Sequence, residues 1–446
     1  MFKNYFKTSW RSLVNGKMHS FINVTGLSIG MAVAILIGLW LYDELSFDKN
    51  FKNYDRIAKV IQNVTNNGDV QTWNSVPYPL AEELRKNYGG DFKHVVMAVD
   101  WGEHIITLNE KKIRQRGAYF EKGAAEMFSL TMREGTSSLT DPASVLISSS
   151  AKKAYFGNDN PVNKLIKIDN RPVVKIAGVY QDFPHNSSLA GLDFISTWDF
   201  YYNSDDGIKT IEDPWRPNFA SLFVELNEHA DINKVSEKIK DAKLKRVSAQ
   251  LATKKPALFL HPMSKWHLYD EFKNGVNTGG AIQYVWMFGI IGVFVLLLAC
   301  INFMNLSTAR SEKRAKEVGI RKTIGSLRRQ LIFQFFSESL LTVAFAFALS
   351  LLLVQLTLPF FSEVAGKDMA ILLTSVGFWL MVTVFIIFTA LVAGSYPAFY
   401  LSSFEPIKVL KGTFKVGRFA TIPRKVLVVT QFTVSVTLII GTIVVY

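Results

Sequence analysis

The stretch NFMNLSTARSEKRAKEVGIRKTIGSLRRQL, residues 302–331, joins two strongly apolar segments and indicates the fold class. It contains eight Lys or Arg residues and two Glu residues, so it is too charged to lie in lipid. It is also too short to be a domain. We therefore predict a helical elbow on the cytoplasmic side, between two membrane spans, and expect it to bind another protein.

The composition of the whole chain favours a membrane protein. Of its 446 residues, 49% are hydrophobic, and the mean hydropathy is +0.17. The single cysteine, Cys300, excludes an intrachain disulfide, so any extracytoplasmic domain must be stabilised by its core. Cys300 lies in an apolar run, where it is typically a small buried hydrophobic residue.

The distribution of charge decides between a membrane protein and a nucleic-acid-binding protein. The net charge is +13, yet residues 43–282 carry equal numbers of acidic and basic groups. The positive excess lies in residues 1–42, 302–331 and 397–425, which flank apolar runs. This is the positive-inside pattern, so we place the N-terminus inside and expect a lipid bilayer, not a nucleic acid, as the partner.

Five apolar runs long enough to span a bilayer set the predicted domain boundaries. The first has no A-x-A cleavage site, so we interpret it as a retained signal anchor. Its Gly26 and Gly30 would permit close approach of another helix. We expect Pro359 and Pro397 to end the third and fourth spans. The predicted segments are a cytoplasmic interfacial helix (1–20), a first span (21–42), an extracytoplasmic α+β domain (43–281), a second span (282–305), a cytoplasmic coupling elbow (306–330), a third span (331–358), a short outer loop (359–370), a fourth span (371–396), a cytoplasmic loop (397–425) and a fifth span (426–446).

The chain ends directly after the fifth run. A span without a flanking polar anchor is unusual at the end of a protein. We therefore expect this run to be the truncated start of a second half, in the front part of a longer polypeptide.

The long polar region predicts a folded, mixed α+β domain. Strands are predicted where apolar residues alternate or β-branched residues cluster, and helices fall between them without a strict βαβ rhythm. We expect two lobes, with a surface excursion or lobe boundary at residues 201–217, which are rich in Asp, Asn and Pro. The predicted strands are 57–64, 95–100, 165–168, 173–180, 222–226 and 257–260; the predicted helices are 78–88, 124–128, 148–156 and 232–249.

Motifs for catalysis or metal binding are weak in this sequence. There is no G-x-x-x-x-G-K-[ST], so any ATP must be hydrolysed by a partner subunit, and we expect no cofactor in this chain. The nearest approach to a histidine cluster is His94 with His104 around Asp100 and Glu103, and we predict no metal site. Ser149 to Lys152 fits S-x-x-K, but its partner motifs are missing, so we predict a serine-capped helix and no catalytic residues.

The elbow has a charged stripe at helical spacing, formed by Arg310, Arg314, Glu317 and Arg321, with Ala315 and Val318 beside it. We expect Gly319 and Gly325 to break the helix and Ser326 to cap the third span. A charged run of this kind is ordinarily a solvated loop. Its short length and its place between long spans favour a docking site.

Glu338 lies about 10 Å into the third span by helix rise, where an ionised group is costly unless it is paired or near water. Two interpretations stay open. Its carboxylate extends back toward Arg328 or Arg329, or it ties the elbow to the span so that the two move together.

Several stretches resemble a known family. The segment EVGIRKTIGSLRRQLIFQFFSESLL (317–341) is similar to the cytoplasmic elbow of the FtsX/MacB superfamily of bacterial ABC-transporter permeases, usually E-[IV]-G-[IV]-R-K-x-[ILV]-G-[AS]. Residues 147–187 resemble the periplasmic core of this family, and residues 258–268 resemble one of its strands. Residues 394–412 resemble the segment that follows a membrane span in the family. Residues 424–441 resemble the restart of a second permease half in duplicated members.

The resemblance implies an α-helical membrane domain with four spans per half and a MacB-like periplasmic core of mixed α+β structure. It implies a bacterial inner-membrane protein that acts as a homodimer or with a second half in the same chain. A separate ABC ATPase would sit under the elbow, and closure of the ATPase pair on ATP would move the periplasmic domains through the long spans. A periplasmic adaptor or substrate would complete the assembly.

The motif transfers five coupling positions to this sequence: Glu317, Gly319, Arg321, Lys322 and Gly325. The sequence departs from the family pattern mainly in the outer domain. Asn163 replaces the usual Gly before Lys, and Met263 replaces the Leu that usually follows Pro262.

Two functions remain after this comparison. The first is a permease subunit that couples a partner ATPase to export or release of a peptide, lipoprotein or toxic compound. The alternative is a mechanotransmitting signalling protein that regulates a periplasmic cell-wall enzyme or a sensor kinase. Both would use the elbow and the spans.

Overall fold

The computed structural model describes residues 9–11, 14, 17–309, 311–371, 373–403 and 418–445. Most of the predicted interfacial helix, and residues 404–417 of the predicted loop 397–425, lie outside the described residues. The chain forms two compact units. We call Glu44–Gln283 the sheet domain, and Met1–Asp43 together with Tyr284–Tyr446 the helical unit.

Helices form most of the helical unit and connect the strands of the sheet domain. In chain order they are α1 (Lys17–Leu45), α2 (Leu80–Tyr88), α3 (Ala124–Met127), α4 (Ser149–Phe156), α5 (Trp198–Ser204), α6 (Asp206–Lys209), α7 (Ile232–Ile239), α8 (Ala249–Ala252), α9 (Met263–Trp266), α10 (Ile282–Ala309), α11 (Ser311–Thr323), α12 (Arg328–Ala365), α13 (Val376–Ser402) and α14 (Arg418–Val445).

Among the described residues, four helices are long and apolar enough to cross a membrane: residues 20–45 of α1, 282–308 of α10, all of α12 and all of α13. A shorter apolar helical segment, Lys425–Gly441, lies in the predicted fifth span. The two prolines do not end their helices as predicted. Helix α12 continues through Pro359 to Ala365, and α13 continues through Pro397 to Ser402. A proline removes one backbone donor, a loss that long helices in a bundle tolerate.

Glycines let the long helices approach each other closely. A Cβ atom added at Gly30 would overlap the Cβ of Ala299, so α1 and α10 are in backbone contact there. A Cβ at Gly394 on α13 would lie 2.8 Å from the Ser339 hydroxyl on α12. The close approach expected from Gly26 and Gly30 is therefore present, and small residues provide the packing.

One large sheet organises the sheet domain. In chain order the strands of this domain are β1 (Ile57–Asn66), β2 (Asp69–Trp73), β3 (Phe92–Leu108), β4 (Lys111–Phe120), β5 (Met132–Gly135), β6 (Ser144–Ser148), β7 (Leu165–Ile168), β8 (Val173–Tyr180), β9 (Phe194–Thr197), β10 (Ser221–Leu226), β11 (Ala257–Pro262), β12 (Glu271–Lys273) and β13 (Val276–Gly279). The strand order of the sheet is β11-β1-β10-β3-β4-β9-β6-β8-β5. Strand β2 extends it beside β1, β7 pairs with β3 and β8, and β12-β13 form a separate ribbon. The pairs β4/β9 and β6/β8 are parallel, and the others are antiparallel.

Apolar side chains fill both faces of this sheet. Val60 and Leu222 belong to one buried cluster, whereas Ile57 and Phe223 belong to another. Because successive side chains of a strand point to opposite faces, the two clusters lie on opposite sides of the sheet. The predicted mixed α+β class is confirmed, and one sheet runs through this compact unit. The division of the domain into two lobes stays a prediction.

The predicted strands are all present, and one predicted helix is wrong. The helix expected over 232–249 ends at Ile239. The carbonyl of Lys240 accepts a hydrogen bond from the amide of Leu258 at 2.9 Å, so this backbone group is paired with the chain at β11. Residues 201–217 contain α5, α6 and turns, in agreement with a surface excursion.

A buried carboxylate fixes the chain that follows α1. Asp48 accepts hydrogen bonds from the amide and the hydroxyl of Ser188, both at 2.6 Å, and its own amide donates to the carbonyl of Asn186 at 2.9 Å. Nearby, the ring of Phe47 stacks on His267, which also contacts the carboxylate of Glu44. Burial raises the pKa of Asp48, and the bonds from Ser188 partly oppose this.

His261 on β11 makes the stability of the sheet domain depend on pH. Its side chain is 8% exposed. Burial, then the ammonium groups of Lys265 and Lys59, lowers its pKa from 6.5 to about 4, against weaker raising effects of the Lys265 backbone and Asp270. The unfolded chain therefore binds a proton here that the folded chain does not, and stability falls as the pH drops below 6.5.

Between pH 7 and pH 5, we expect the free energy of unfolding to fall by about 2 kcal/mol less in His261→Phe than in the wild type. Thermal unfolding of the purified chain at both pH values would measure it. The exposed His229 supplies the control, because His229→Phe should keep the wild-type pH dependence. An unchanged pH dependence in His261→Phe would contradict the assignment.

Candidate functional site

Helix α11 forms most of the predicted elbow and ends in a tight turn. Gly325 has φ +102°, a left-handed conformation that glycine adopts without strain. The amide of Gly325 donates to the carbonyl of Lys322 at 3.1 Å, and the amide of Ser326 donates to the carbonyl of Arg321 at 3.0 Å. These two bonds form a Schellman motif, which ends α11 and turns the chain toward α12.

Two expectations about the elbow are wrong. Gly319 does not break the helix; it is buried within α11, which continues to Thr323. A single glycine inside a helix costs only about 1 kcal/mol, which the packing of α11 can offset. The start of α12 is capped through the amide of Leu327, which donates to Gln330 Oε1 at 3.1 Å, and not by Ser326.

One face of α11 is packed against the two long helices that follow it. Ala315 and Val318 are buried together with Leu331 and Phe335 of α12 and with Ala398 and Leu401 of α13. These six residues form the elbow core. Because protein interiors are closely packed, α11 cannot shift without disturbing α12 and α13.

Arg321 strengthens this attachment. Its guanidinium donates to Glu317 Oε1 at 2.7 Å, one helical turn earlier, and also to Gln334 Oε1 on α12. Two of the motif positions, Glu317 and Arg321, are therefore bonded to each other within the elbow. Lys322 is half-buried next to them. Their contacts hold α11 in place on α12.

The opposite side of the elbow exposes aliphatic side chains. Ile320, Ile324 and Leu327 are 50%, 80% and 65% exposed. We call these three residues the elbow patch. Lys316, Arg328 and Arg329 are also exposed nearby in the sequence. Aliphatic groups of this size exposed beside basic groups are typical of a surface that another protein covers.

The predicted tie between the elbow and the third span involves Glu338, Arg328 and Arg329. Glu338 is half-buried on α12, and its backbone carbonyl accepts a hydrogen bond from the Thr342 hydroxyl at 2.9 Å. Arg328 and Arg329 are exposed at the start of α12, and the guanidinium of Arg329 lies 5.6 Å from the ring centre of Phe333. Arg310 and the side chain of Arg314 lie outside the described part of the chain.

The histidine cluster of the sheet domain is an ionic network. His104 contacts the carboxylate of Asp169 through Nδ1 and the carbonyl of Asp100 through Nε2, the latter at 2.9 Å. The guanidinium of Arg171 lies 3.5 Å from Asp100 Oδ2. Three potential ligand groups do converge here, but both ring nitrogens are engaged and a cation already faces Asp100. His94 lies elsewhere, 3.9 Å from Glu225.

The S-x-x-K motif does not form a catalytic pair. The Ser149 hydroxyl donates to the carbonyl of Tyr180 at 2.9 Å, and Lys152 pairs with Glu134. The side chain of Ser148 caps α4 by accepting from the amide of Ala151 at 3.1 Å. The predicted serine-capped helix is confirmed, and the serine that caps it is Ser148.

Both departures from the family pattern have a structural explanation. Asn163 has φ +67°, in the left-handed region that glycine adopts freely and asparagine tolerates better than most residues. Met263 is buried in the cluster that contains Phe223, where its flexible side chain can fill the space of a leucine.

Sequence reasoning missed the elbow patch and Gln334. Ile320 and Ile324 are four residues apart, so they share one helical face, which could have indicated an apolar surface. Nothing in the sequence identifies Gln334 as a partner of Arg321, because that contact depends on how α11 folds back on α12.

Two family models match most of the chain. The model of the MacB-like periplasmic core domain matches residues 20–242, which is half of the chain. The model of the FtsX-like permease C-terminal domain matches residues 289–406, which include the elbow and helices α12 and α13.

Named relatives align with this chain over long stretches at 21–25% sequence identity. The macrolide export ATP-binding/permease protein MacB of Aggregatibacter actinomycetemcomitans is 22% identical over 352 residues, covering 75% of this chain and 50% of the relative. The MacB of Bdellovibrio bacteriovorus is 25% identical over 280 residues, covering 60% and 38%. That of Salmonella paratyphi A is 21% identical over 444 residues, covering 92% and 60%. The chain thus spans between 38% and 60% of the length of these relatives.

Solved structures are similar over about half of the chain. The periplasmic region of MacB from Actinobacillus actinomycetemcomitans is 17% identical to this chain, with a TM-score of 0.36. The match covers 49% of this chain and 94% of the solved chain. The extracellular domain of the ABC-type transporter YknZ from Gram-positive bacteria is 14% identical, covers 46% and 98%, and has a TM-score of 0.35.

The Schellman turn predicts the effect of Gly325→Ala. A side chain in a left-handed conformation costs about 1–2 kcal/mol. We expect the amides of residues 324–326 to exchange hydrogen about 5 to 30 times faster in this variant. Hydrogen exchange followed by mass spectrometry of the purified chain would measure the change.

Gly38→Ala is the matched control, because Gly38 is helical and has open space around the added Cβ. Its exchange at the elbow should equal that of the wild type. Equal exchange in Gly325→Ala would show that the turn does not need glycine.

Proposed function

The chain belongs to the family of FtsX/MacB-type ABC-transporter permeases, and on that premise we propose that it couples a partner ATPase to motion of the sheet domain. This motion would drive the export or release of a peptide, a lipoprotein or a toxic compound from the outer face of the inner membrane. ATP binds and is hydrolysed on the partner, since this chain contains no P-loop sequence.

The main observation behind this proposal is that the elbow has one buried face and one exposed face. Ala315 and Val318 attach α11 to α12 and α13, whereas the elbow patch is open to solvent. An ATPase that covers the elbow patch would gain apolar contact there and would face the basic groups at its edge. The motif residues Glu317, Arg321 and Gly325 then act mainly by giving α11 its shape and position.

The packing of α11 supports a mechanical role for the helices. A push on the elbow patch would reach α12 directly through the elbow core and the bond between Arg321 and Gln334. Helix α12 has 38 residues, or about 57 Å of length, against a hydrocarbon core of about 30 Å. A helix of this length can carry a displacement across the bilayer and beyond it.

We propose a topology with the N-terminus and the elbow in the cytoplasm and the sheet domain in the periplasm. The positive excess in residues 1–42, 302–331 and 397–425 supports it. The functional unit would contain two such halves, either as a homodimer or within one longer polypeptide, with an adaptor or substrate at the periplasmic side.

The elbow patch gives a direct test of docking. Arg321 is a poor target, because its bonds to Glu317 and Gln334 hold the elbow itself together. Ile324 is the most exposed patch residue and is suited to Ile324→Asp, which places a carboxylate at the centre of the expected apolar contact. We expect at least a tenfold loss of the ATPase that co-purifies with the chain, since burying an unpaired charge costs several kcal/mol.

The matched control is Val276→Asp, which replaces a 66% exposed aliphatic residue of the sheet domain. This variant should retain the ATPase at the wild-type level. Full ATPase recovery and normal stimulated ATP hydrolysis with Ile324→Asp would exclude the elbow patch as the docking surface.

The topology can be tested with a reporter enzyme that is active only in the periplasm. Fused after residue 200, within α5 of the sheet domain, it should be active in cells. A cytoplasmic reporter at the same position should be inactive. The reverse result would overturn the proposed orientation.

A further inference from the structure

Three neighbouring strands place an unusual row of side chains on one face of the sheet. Lys59 of β1 lies directly opposite Phe223 of β10 and directly opposite His261 of β11. Directly opposed residues of antiparallel strands point to the same face. A cation, an aromatic ring and an imidazole therefore form a continuous row across β10, β1 and β11.

This row forms one wall of a pocket within the sheet domain. The pocket has a volume of about 290 Å³ and is also lined by Trp101, Trp266 and Phe272. The ring centres of Trp101 and Trp266 lie 6.3 Å and 5.4 Å from that of Phe223. Flat apolar walls with a few polar groups are typical of sites for small ligands, and this volume suits a small one.

His261, which lines this pocket, has a buried hydrogen-bonding atom that is not used. The residue is 8% exposed, and its Nε2 has no hydrogen-bond partner in the described part of the chain. The backbone carbonyl of His261 accepts a hydrogen bond from Trp266 Nε1 at 2.8 Å, which ties β11 to another residue of the pocket wall. A neutral imidazole can form a hydrogen bond through each ring nitrogen, and leaving Nε2 unpaired in a buried site is costly.

Lys59 contributes a charge without a counter-ion. Its ammonium lies 5.9 Å from the ring centre of Phe223, and no carboxylate of the described residues pairs with it. Burial lowers its pKa, which is the effect of losing water without gaining an anion. Asp270, an acidic group lining the pocket, is exposed.

We propose that this pocket binds a small aromatic acid that carries a hydroxyl group. The ring lies against Phe223 and the two indole groups beside it, the acidic group pairs with Lys59, and the hydroxyl donates to His261 Nε2. Such a ligand contacts the aromatic wall and pairs with both polar groups that have no partner among the described residues. Lys59 selects for the negative charge, and His261 selects for the hydroxyl.

Three probes separate these contributions: para-hydroxybenzoate, benzoate and phenol. Benzoate lacks the hydroxyl and phenol lacks the acidic group. Binding to the purified full chain is measured at pH 7.4 by saturable quenching of tryptophan fluorescence, without ATPase or nucleotide. The result therefore does not depend on the function proposed for the elbow. We expect para-hydroxybenzoate to bind about tenfold more tightly than either other probe.

Two variants assign the contacts. Lys59→Met should weaken para-hydroxybenzoate and benzoate about tenfold and leave phenol within about twofold. His261→Phe should weaken para-hydroxybenzoate and phenol and leave benzoate within about twofold. Lys175→Met, on the half-exposed Lys175 of β8, is the control and should bind all three probes as the wild type does.

Several results would overturn the proposal. One is the absence of saturable binding of para-hydroxybenzoate, and another is equal affinity of the wild type for all three probes. A third is an equal loss for all probes in either variant, which would indicate a structural role only. The ranking of the probes on the wild type tests the proposal even if a variant does not fold.

Discussion

The elbow core is the contact on which the proposed mechanism depends. Two small side chains of α11, Ala315 and Val318, are buried against residues of α12 and α13. Because this core is closely packed, a displacement of α11 would open a cavity or create an overlap. The bond from Arg321 to Gln334 adds a directional link at the same place. The elbow is therefore part of the helical unit and not a loop attached to it.

Hydropathy and charge predicted the helices of this protein well, because a span needs a long apolar run and its flanks carry the charge bias. The positions of the long helices follow from this. The ends of the long helices do not follow from hydropathy, because Pro359 and Pro397 lie inside helices whose packing tolerates a missing backbone donor. Gly319 was misjudged for a similar reason: burial within α11 outweighs the intrinsic cost of glycine in a helix.

In the sheet domain, alternation predicted individual strands but not their order. The order depends on contacts between residues far apart in sequence, such as Lys59 and His261, which no local pattern indicates. The candidate site shows the same limit. The motif led to Glu317, Arg321 and Gly325, and the fold shows that these residues shape the elbow. The exposed Ile324 could be recognised only when the buried face of α11 was known.

The contact between Gly30 and Ala299 has a mechanical consequence. Helices in backbone contact have no layer of flexible side chains between them to absorb a displacement. Further approaches, between Ile37 and Gly292 and between Leu41 and Gly289, extend the contact along both helices. The chain enters residues 44–283 through α1 and leaves through α10, so both chain connections of the sheet domain are made by helices that pack directly against each other.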